Sequence, residues 1–422
     1  MPFCRLSIGT HQLYCAWSPP LLARATPASR FYPYFCEVKT LFSSDFTLGI
    51  LGGGQLGKML LYDTRRLDIR TRVLDPATDA PCAIACNEFV QGDLMDYDTV
   101  LAFGRDCDVI TIEIEHVNTE ALRALKAMGK QVHPDPEGLT IIQDKGIQKQ
   151  FYLQKHFPTT AATFYPGIVT LEEAVREGRQ SLPFVWKSTR FGYDGKGVKV
   201  IRKVEDLEGL PHVACLCEEL APIAAEIAVI AARNAQDEVR CFPACEMVFH
   251  PEANLVEEVE CPASSPAAAL AEAEKLATRL IRELNICGLL AVEFFITTDG
   301  RLLVNEAAPR PHNSGHFTIE ACFTSQYEQH LRGILGLPLG DPGLHSPSVM
   351  VNLVGAENHS GNVYYEGAEA IMGMDGVYLH VYGKKQTRPF RKMGHVTILR
   401  KSLEEARTLA KAVQQHLKVI SK

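Results

Sequence analysis

The sequence predicts an α/β domain of Rossmann type, then a larger α+β domain, then a small β-rich domain at the C-terminus. Three observations carry this. The apolar run Thr47 to Leu51 ends in Gly52-Gly53-Gly54-Gln55-Leu56-Gly57 and an amphipathic stretch through about Arg66, a strand, glycine turn and helix in succession. Regular strand and helix alternation stops near residue 135 and gives way, between about 150 and 345, to mixed helices and strands. From about 346 the chain shows short strands and one final helix. The expected divisions are residues 1–44, 45–135, 136–345 and 346–422.

Bulk properties exclude more than they assign. The 422 residues, 46% of them hydrophobic, suffice for two to four domains with a sizeable core. A formal net charge of -7 argues against a nucleic-acid surface, and no uncharged apolar run reaches the roughly 18 residues of a membrane span. Thirteen cysteines without regular spacing fit a reducing cytoplasm and structural thiols. Cys82 with Cys86, or Cys241 with Cys245, match no zinc spacing, and His250 completes no set of four.

Residues 1–44 carry Arg5, Arg24, Arg30 and Lys39 against a single acid, Glu37. Such a leader reads as a disordered extension from an upstream start codon or as an organelle transit peptide. In the next segment the glycines let a phosphate approach backbone N–H groups at a helix N-terminus, and Asp75, closing the strand Thr71 to Leu74, stands where a dinucleotide ribose would be held. A nicotinamide dehydrogenase, a mononucleotide phosphate loop and a ligand-free tight turn all remain open here. Strands at Val109 to Ile112, leading to Glu113 and Glu115, and at Lys130 to Val132 complete the unit. Asp135-Pro136 then marks a helix start, and the helix carries Asp144, Lys145, Gln148 and Lys149, charges that a solvated face would also explain.

The strand Pro183 to Trp186 ends in Lys187, and Gly192-Tyr193-Asp194-Gly195-Lys196-Gly197 precedes the strand Val198 to Ile201. Lysines at a strand end and on a glycine loop suit a triphosphate under a closing flap, and equally a plain hairpin. The Glu219 to Ala221 stretch, following Glu218, would offer backbone groups to a purine edge. Glu226, within the apolar strand Ala225 to Ile230, would meet a ribose hydroxyl or simply lie on an open sheet face. Ser265-Pro266 starts a long helix through Asn285.

Glu293 and Glu306 lie symmetrically about Asp299-Gly300, a two-residue hairpin signal, so they face each other across paired strands. Facing carboxylates repel, and the remedies are a shared proton, a basic partner or a divalent cation; Mg²⁺ with substrate phosphate oxygens fits best. The run from Asn305 through Arg310 to His316 adds a dense set of polar side chains. In the tail, strands Ser348 to Leu353 and Gly376 to Val381 precede a helix capped by Ser402 and Glu405, and the whole is expected to pack on the preceding domain.

Taken together, this order of elements resembles the ATP-grasp superfamily. The stretches Gly54 to Gly57, Gly192 to Gly197, Asn305-Glu306 with Ala308 to Arg310, His312-Asn313-Ser314-Gly315-His316, Arg388-Pro389, Arg391-Lys392 and Gly394-His395 resemble the 5-(carboxyamino)imidazole ribonucleotide synthases. That resemblance implies an ATP-grasp fold with a Rossmann-like pre-ATP-grasp domain. It implies ATP and Mg²⁺ as cofactors, with Mn²⁺ as a substitute, and carboxylation of 5-aminoimidazole ribonucleotide by bicarbonate in a cytoplasmic homodimer. Lys145, Lys187, Glu218, Glu219, Leu220, Glu226, His250, Asn305 and Glu306 would bind ATP, and Glu293 and Glu306 the metal. Asp194, Lys384 and Arg391 would be catalytic; Gln55, Leu56, His312, Asn313, Ser314, Arg388 and Lys392 would hold the ribonucleotide. Phe390 departs from the family's usual glycine, which puts the shape of the local anion loop in question. Formate-dependent glycinamide ribonucleotide transformylase and a non-catalytic ATP-binding regulator are the rival readings, the former disfavoured by His312 to His316.

Overall fold

The computed structural model describes residues 39–190, 197–250 and 255–422. Asp194 and most of the leader therefore lie outside the described residues. Residues 39–44 of that leader belong to the fold: Leu41 is buried with Phe46 and Ile50, and Lys39 pairs with Asp45 at 3.1 Å.

Five parallel strands form the first sheet, in the order Glu88–Gln91, Arg70–Asp75, Thr47–Leu51, Val109–Ile112 and Gln131–Val132. Their apolar runs are buried on both faces, as parallel strands between helices require. The order reverses direction between Thr47–Leu51 and Val109–Ile112, and a ligand crevice opens at the carboxyl ends of such strands. Gly52, Asp75 and Glu113 all stand at that edge.

A single helix was expected across Asp144, but there are two. Pro136–Gln143 stops because Asp144 is extended (φ -123°, ψ 109°), and its carboxylate accepts the N–H groups of Gly146 and Ile147 to cap Lys145–Gln154. Gln148 and Lys149 on the second helix are buried, so the solvated-face reading fails there.

Three antiparallel sheets follow, the smallest made of Gln386–Thr387, Gly361–Glu366 and Lys418–Ser421. Ala162–Tyr165, Cys215–Glu219, Phe184–Ser188 and Val198–Ile201 make a four-stranded sheet. The larger sheet runs Leu302–Ala308, Gly288–Thr297, Ile223–Arg233, Cys245–Phe249, Val256–Cys261, Ser348–Val354, Lys392–Leu399 and Val377–Val381, with Val239–Cys241 added beside Ile223–Arg233. The C-terminal strands thus do more than pack on the preceding region. Glu258 to Cys261 pair with Ser348 to Val351, so one hydrogen-bonded sheet crosses residue 345. Ala267–Glu283 covers one face through Leu276, Leu280 and Ile281 against Val229, Val292 and Phe294. The last helix, Leu403–His416, is capped by Ser402, whose hydroxyl accepts the Glu405 N–H.

Candidate active site

Glu293 and Glu306 are directly opposed, by a route the sequence did not show. The hairpin closes between Thr297 and Arg301 around a three-residue loop, with Gly300 in the left-handed region (φ +82°). This shifts the pairing by one, to Phe294 with Val304, and a bulge at Asn305 shifts it back. The extra residue has a purpose. A bulge turns two successive side chains toward one face, so Asn305 reaches Lys187 (3.1 Å) while Glu306 meets Lys145. Glu226 lies on the same face of the adjacent strand, diagonal to Glu293, since it pairs with Phe295 while Ala228 pairs with Glu293. Burial pushes its carboxyl up to about 7. The open-face reading of Glu226 therefore gives way to a half-buried acid beside two others.

The two carboxyls are driven apart in acidity by their surroundings. Lys145 pairs with Glu306 and holds its carboxyl low, whereas burial first and Glu306 second push Glu293 up. His312 points Nε2 at Glu293 (3.7 Å). Its Nδ1 accepts the Ser314 N–H (3.3 Å), so the neutral ring carries its proton on Nε2, toward the carboxyl.

Behind this pair, a polar pocket is lined by Lys145, Gln148, Lys149, Tyr152, Lys187, Glu218, Asn305 and Glu306. Glu218 bridges Lys149 (3.1 Å) and Lys187 (3.0 Å). Burial works to raise its carboxyl, and the two lysines outweigh that and lower it. Three lysines meet two ionised carboxylates, leaving an excess of positive charge suited to phosphate. The Tyr152 hydroxyl is buried here without a hydrogen-bond partner among the described residues. Lys149 and Tyr152 were not singled out as site residues; their signal was a helix face whose polar positions, 145, 148, 149 and 152, recur at helical spacing.

The glycine loop contains a surprise. Glu113, not a phosphate, takes the helix N-terminus: its Oε2 accepts the N–H groups of Leu56 and Gly57 (both 3.1 Å). A Cβ on Gly54 would lie 2.4 Å from Glu113 Oε1, which is why glycine is needed there. Asp75 likewise accepts the N–H groups of Gly53 (2.7 Å) and Ala77 (2.8 Å). Two carboxylates of the chain thus hold the Gly53, Leu56 and Gly57 amides, groups that a phosphate loop would offer. Leu56 points into the core, and Gln55 opens the helix half-buried. Arg310 pairs with Glu115 (2.9 Å), tying this edge to the 305–316 run. Gln326, missed in the sequence, clamps the backbone N–H (2.8 Å) and carbonyl (2.8 Å) of His312. The side-chain nitrogen of Asn313 is buried without a partner among the described residues.

The remaining site candidates spread outward. Glu219 is exposed and Leu220 half-buried at the end of Cys215–Glu219. His250 stands edge-on to Phe390 with ring centres 6.0 Å apart. Lys384 donates to the Lys392 carbonyl (2.8 Å) and Arg391 to that of Gln386 (2.6 Å), while Arg388 is exposed. Lys392 is near enough to lower Glu293 electrostatically. Phe390 adopts φ +60°, the left-handed region that glycine tolerates best, so the backbone keeps a glycine-like turn despite the ring.

Comparison with known proteins fits this geometry. Residues 46–143 match the ribonucleotide synthetase preATP-grasp domain, 152–327 the ATP-grasp domain, and 348–409 the phosphoribosylaminoimidazole carboxylase C-terminal domain. N5-carboxyaminoimidazole ribonucleotide synthase of Bacillus subtilis is 36% identical over 362 residues, 85% of this chain and 92% of that protein. The chloroplastic phosphoribosylaminoimidazole carboxylase of Vigna aconitifolia is 35% identical, and the match spans 85% of this chain but only 65% of that longer protein. Among solved structures, N5-carboxyaminoimidazole ribonucleotide synthetase from Thermotoga maritima superposes with a TM-score of 0.82 at 38% identity, over 89% of this chain and 100% of that one. The Aspergillus clavatus synthase in complex with ADP and 5-aminoimidazole ribonucleotide gives 0.80 at 30% identity, over 88% and 99%. The dehydrogenase reading falls, and the chain belongs to the N5-carboxyaminoimidazole ribonucleotide synthase family, with an ATP-grasp fold.

Proposed function

We propose that the chain carboxylates 5-aminoimidazole ribonucleotide with bicarbonate at the expense of ATP, giving 5-(carboxyamino)imidazole ribonucleotide, ADP and phosphate on the route to purine nucleotides. The observation that carries this is the cationic pocket of Lys145, Lys149 and Lys187, opening beside the opposed Glu293 and Glu306 and the His312 to Ser314 turn.

In this reading Lys145 and Lys187 grip the phosphates, Glu226 meets the ribose, and Glu218 to Leu220 border the purine, with Asn305 steadying Lys187. Glu293 and Glu306 offer hard oxygen ligands on one face, a fit for Mg²⁺ completed by phosphate oxygens and water. Bound there, the ion would neutralise charge on the transferred phosphoryl group. Among the described residues no group of three or more His, Cys, Asp or Glu forms a metal site. Two protein carboxylates are what a phosphate-bridged Mg²⁺ asks for.

Bicarbonate attacks the terminal phosphorus, and the resulting carboxyphosphate passes its carboxyl group to the exocyclic amine. Lys384, Arg388, Arg391 and Lys392 are the cationic groups we assign to the anions, Arg as a fork and Lys as a point charge. His312, Asn313, Ser314 and the Gln55-Leu56 edge are assigned to the ribonucleotide, where Asn313 has a free donor. Asp194 is assigned as the base, from its place between two loop glycines in the sequence. We assign the protein to the cytoplasm as a homodimer; no described helix is long and apolar enough to cross a membrane.

The test is ADP release with Mg²⁺-ATP and bicarbonate, with and without 5-aminoimidazole ribonucleotide. Strong stimulation by the ribonucleotide is expected, together with its loss in Asp194→Asn. Folded protein that is stimulated instead by glycinamide ribonucleotide with formate would overturn the reading, and full activity in Asp194→Asn would remove that residue's role.

A further inference from the structure

Lys149 belongs to no role assigned above, yet it is among the most deeply buried charges in the protein, 2% exposed beside Glu218 at 4%. A lysine ammonium has three donors, and all three are spent: on Thr159 Oγ1 (2.6 Å), Thr160 Oγ1 (3.0 Å) and Glu218 Oε1 (3.1 Å). Thr160 in turn donates to Glu218 Oε2 (2.9 Å), and Thr159 to the Val304 carbonyl (2.8 Å) next to Asn305. Lys149 is therefore fixed in place and cannot turn to a ligand. Lys187 is built differently. It shares the other Glu218 oxygen (3.0 Å) and Asn305 Oδ1 (3.1 Å), which among the described residues leaves one donor at the pocket wall.

Glu218 thus has two counter-ions, one locked and one able to leave. A buried carboxylate with a single cation would hold that cation strongly, because separating the pair would strand an uncompensated charge. We infer that Lys149 is a positioning residue of the nucleotide site: it neutralises Glu218 permanently, so that Lys187 is released to the phosphates when nucleotide binds. This rests on the reading of the lysine pocket as the nucleotide site. It also gives the two threonines a function, since their hydroxyls complete the hydrogen-bonded shell of the buried Lys149 ammonium.

A double-mutant cycle tests the idea, because Lys149 should matter only while Glu218 carries a charge. The full-length protein and the variants Lys149→Met, Glu218→Gln and Lys149→Met/Glu218→Gln would be titrated calorimetrically with Mg²⁺ and the non-hydrolysable ATP analogue AMP-PNP. Steady-state KM for ATP and for the ribonucleotide would be measured alongside. Expected is a loss of nucleotide affinity of about tenfold or more in Lys149→Met. KM for the ribonucleotide should move by no more than about twofold, and the Lys149→Met effect in the Glu218→Gln background by less than about threefold. A loss that persists in that background, or a parallel decline in both substrates, would overturn the proposal. If Lys149→Met does not fold, the comparison of Glu218→Gln with the double variant decides alone: equal affinity supports the proposal, and a larger gap sinks it. Wild-type protein that binds the analogue but releases no ADP would refute the proposed reaction while leaving this cycle readable.

Discussion

Glu293 shows how one carboxyl can link metal binding to pH. In the folded, ligand-free protein it holds its proton more tightly than it would in the unfolded chain, because burial and Glu306 both oppose its charge. Its ionisation therefore takes stability from the fold as pH rises above the ordinary carboxylate range, and that stability is fully present only below it. A cation that binds the ionised pair recovers the loss. Mg²⁺ should accordingly raise the melting temperature more at about pH 8 than at about pH 6, with apparent Mg²⁺ affinity climbing by up to about tenfold per pH unit. Glu293→Gln should flatten the dependence. Equal increments at both pH values in the wild type would mean that Glu293 is already ionised without metal. Glu113 is the contrasting case. Burial raises it to about 7, but its oxygen is committed to two helix amides 56 and 57 residues away in sequence. No local pattern reports such a bond, which is why the glycine loop read as a phosphate site.

At the scale of the element, two short loops decide what the site presents. The hairpin at Thr298 to Gly300 was legible as a turn but not as a three-residue one, because an Asp-Gly pair serves both lengths and the choice rests on the closing pair Thr297 and Arg301. The opposition of the two glutamates was nonetheless readable, since the bulge at Asn305 compensates the shift. The strands Thr47–Leu51 and Val198–Ile201 were read at their observed bounds because their apolar runs are closed off by glycine or charge. The helix break at Asp144 was missed because Asp144 sits inside a continuous helical pattern and shows itself only as a cap. The turn from Arg388 to Arg391 permits a direct measurement. Phe390 occupies the left-handed region, where a Cβ costs about 1–2 kcal/mol. Its contact with His250 is worth about 0.5–1.5 kcal/mol, so strain and contact nearly cancel. Replacing the ring removes the contact in either of two variants, and only glycine also removes the strain. Phe390→Gly should be more stable than Phe390→Ala by about 0.5–1 kcal/mol in denaturant titration, after allowance for glycine's extra unfolded-state entropy. The reverse order would mean that the turn relaxes out of the left-handed region.

For the whole molecule, three C-terminal strands, Ser348–Val354, Lys392–Leu399 and Val377–Val381, are part of the main sheet, and the other three form a small sheet of their own. The sequence showed Ser348 to Leu353 and Gly376 to Val381 as short strands, but Lys392–Leu399, which joins them, was obscured by the run of basic residues that precedes it. Pairing across residue 345 is a long-range property that periodicity does not encode. Damage near the C-terminus should therefore be felt throughout. Ile398, fully buried against Val349 and Ala406, lies about as far along the sheet from Glu306 as the strand order allows. Ile398→Ala should cost about 2–5 kcal/mol. Denaturant unfolding should stay a single transition, in which nucleotide binding and the near-ultraviolet signal are lost together. Separate transitions would show that the C-terminal strands unfold on their own.

The lysine pocket proposed for the nucleotide draws Lys187 and Glu218 from the four-stranded sheet, and Asn305 and Glu306 from the nine-stranded one. Lys187 to Asn305 is a side-chain link between the two sheets at this point, and the loop before Ala162–Tyr165 adds Thr159 to the Val304 carbonyl and the Pro158 carbonyl to the Val304 N–H. Part of the energy of gripping the phosphates must then go into keeping two plates in register. Observed affinity will understate the strength of the contacts by the fraction of time the plates are misaligned, and a change that merely stiffened the seam would tighten binding without touching the nucleotide.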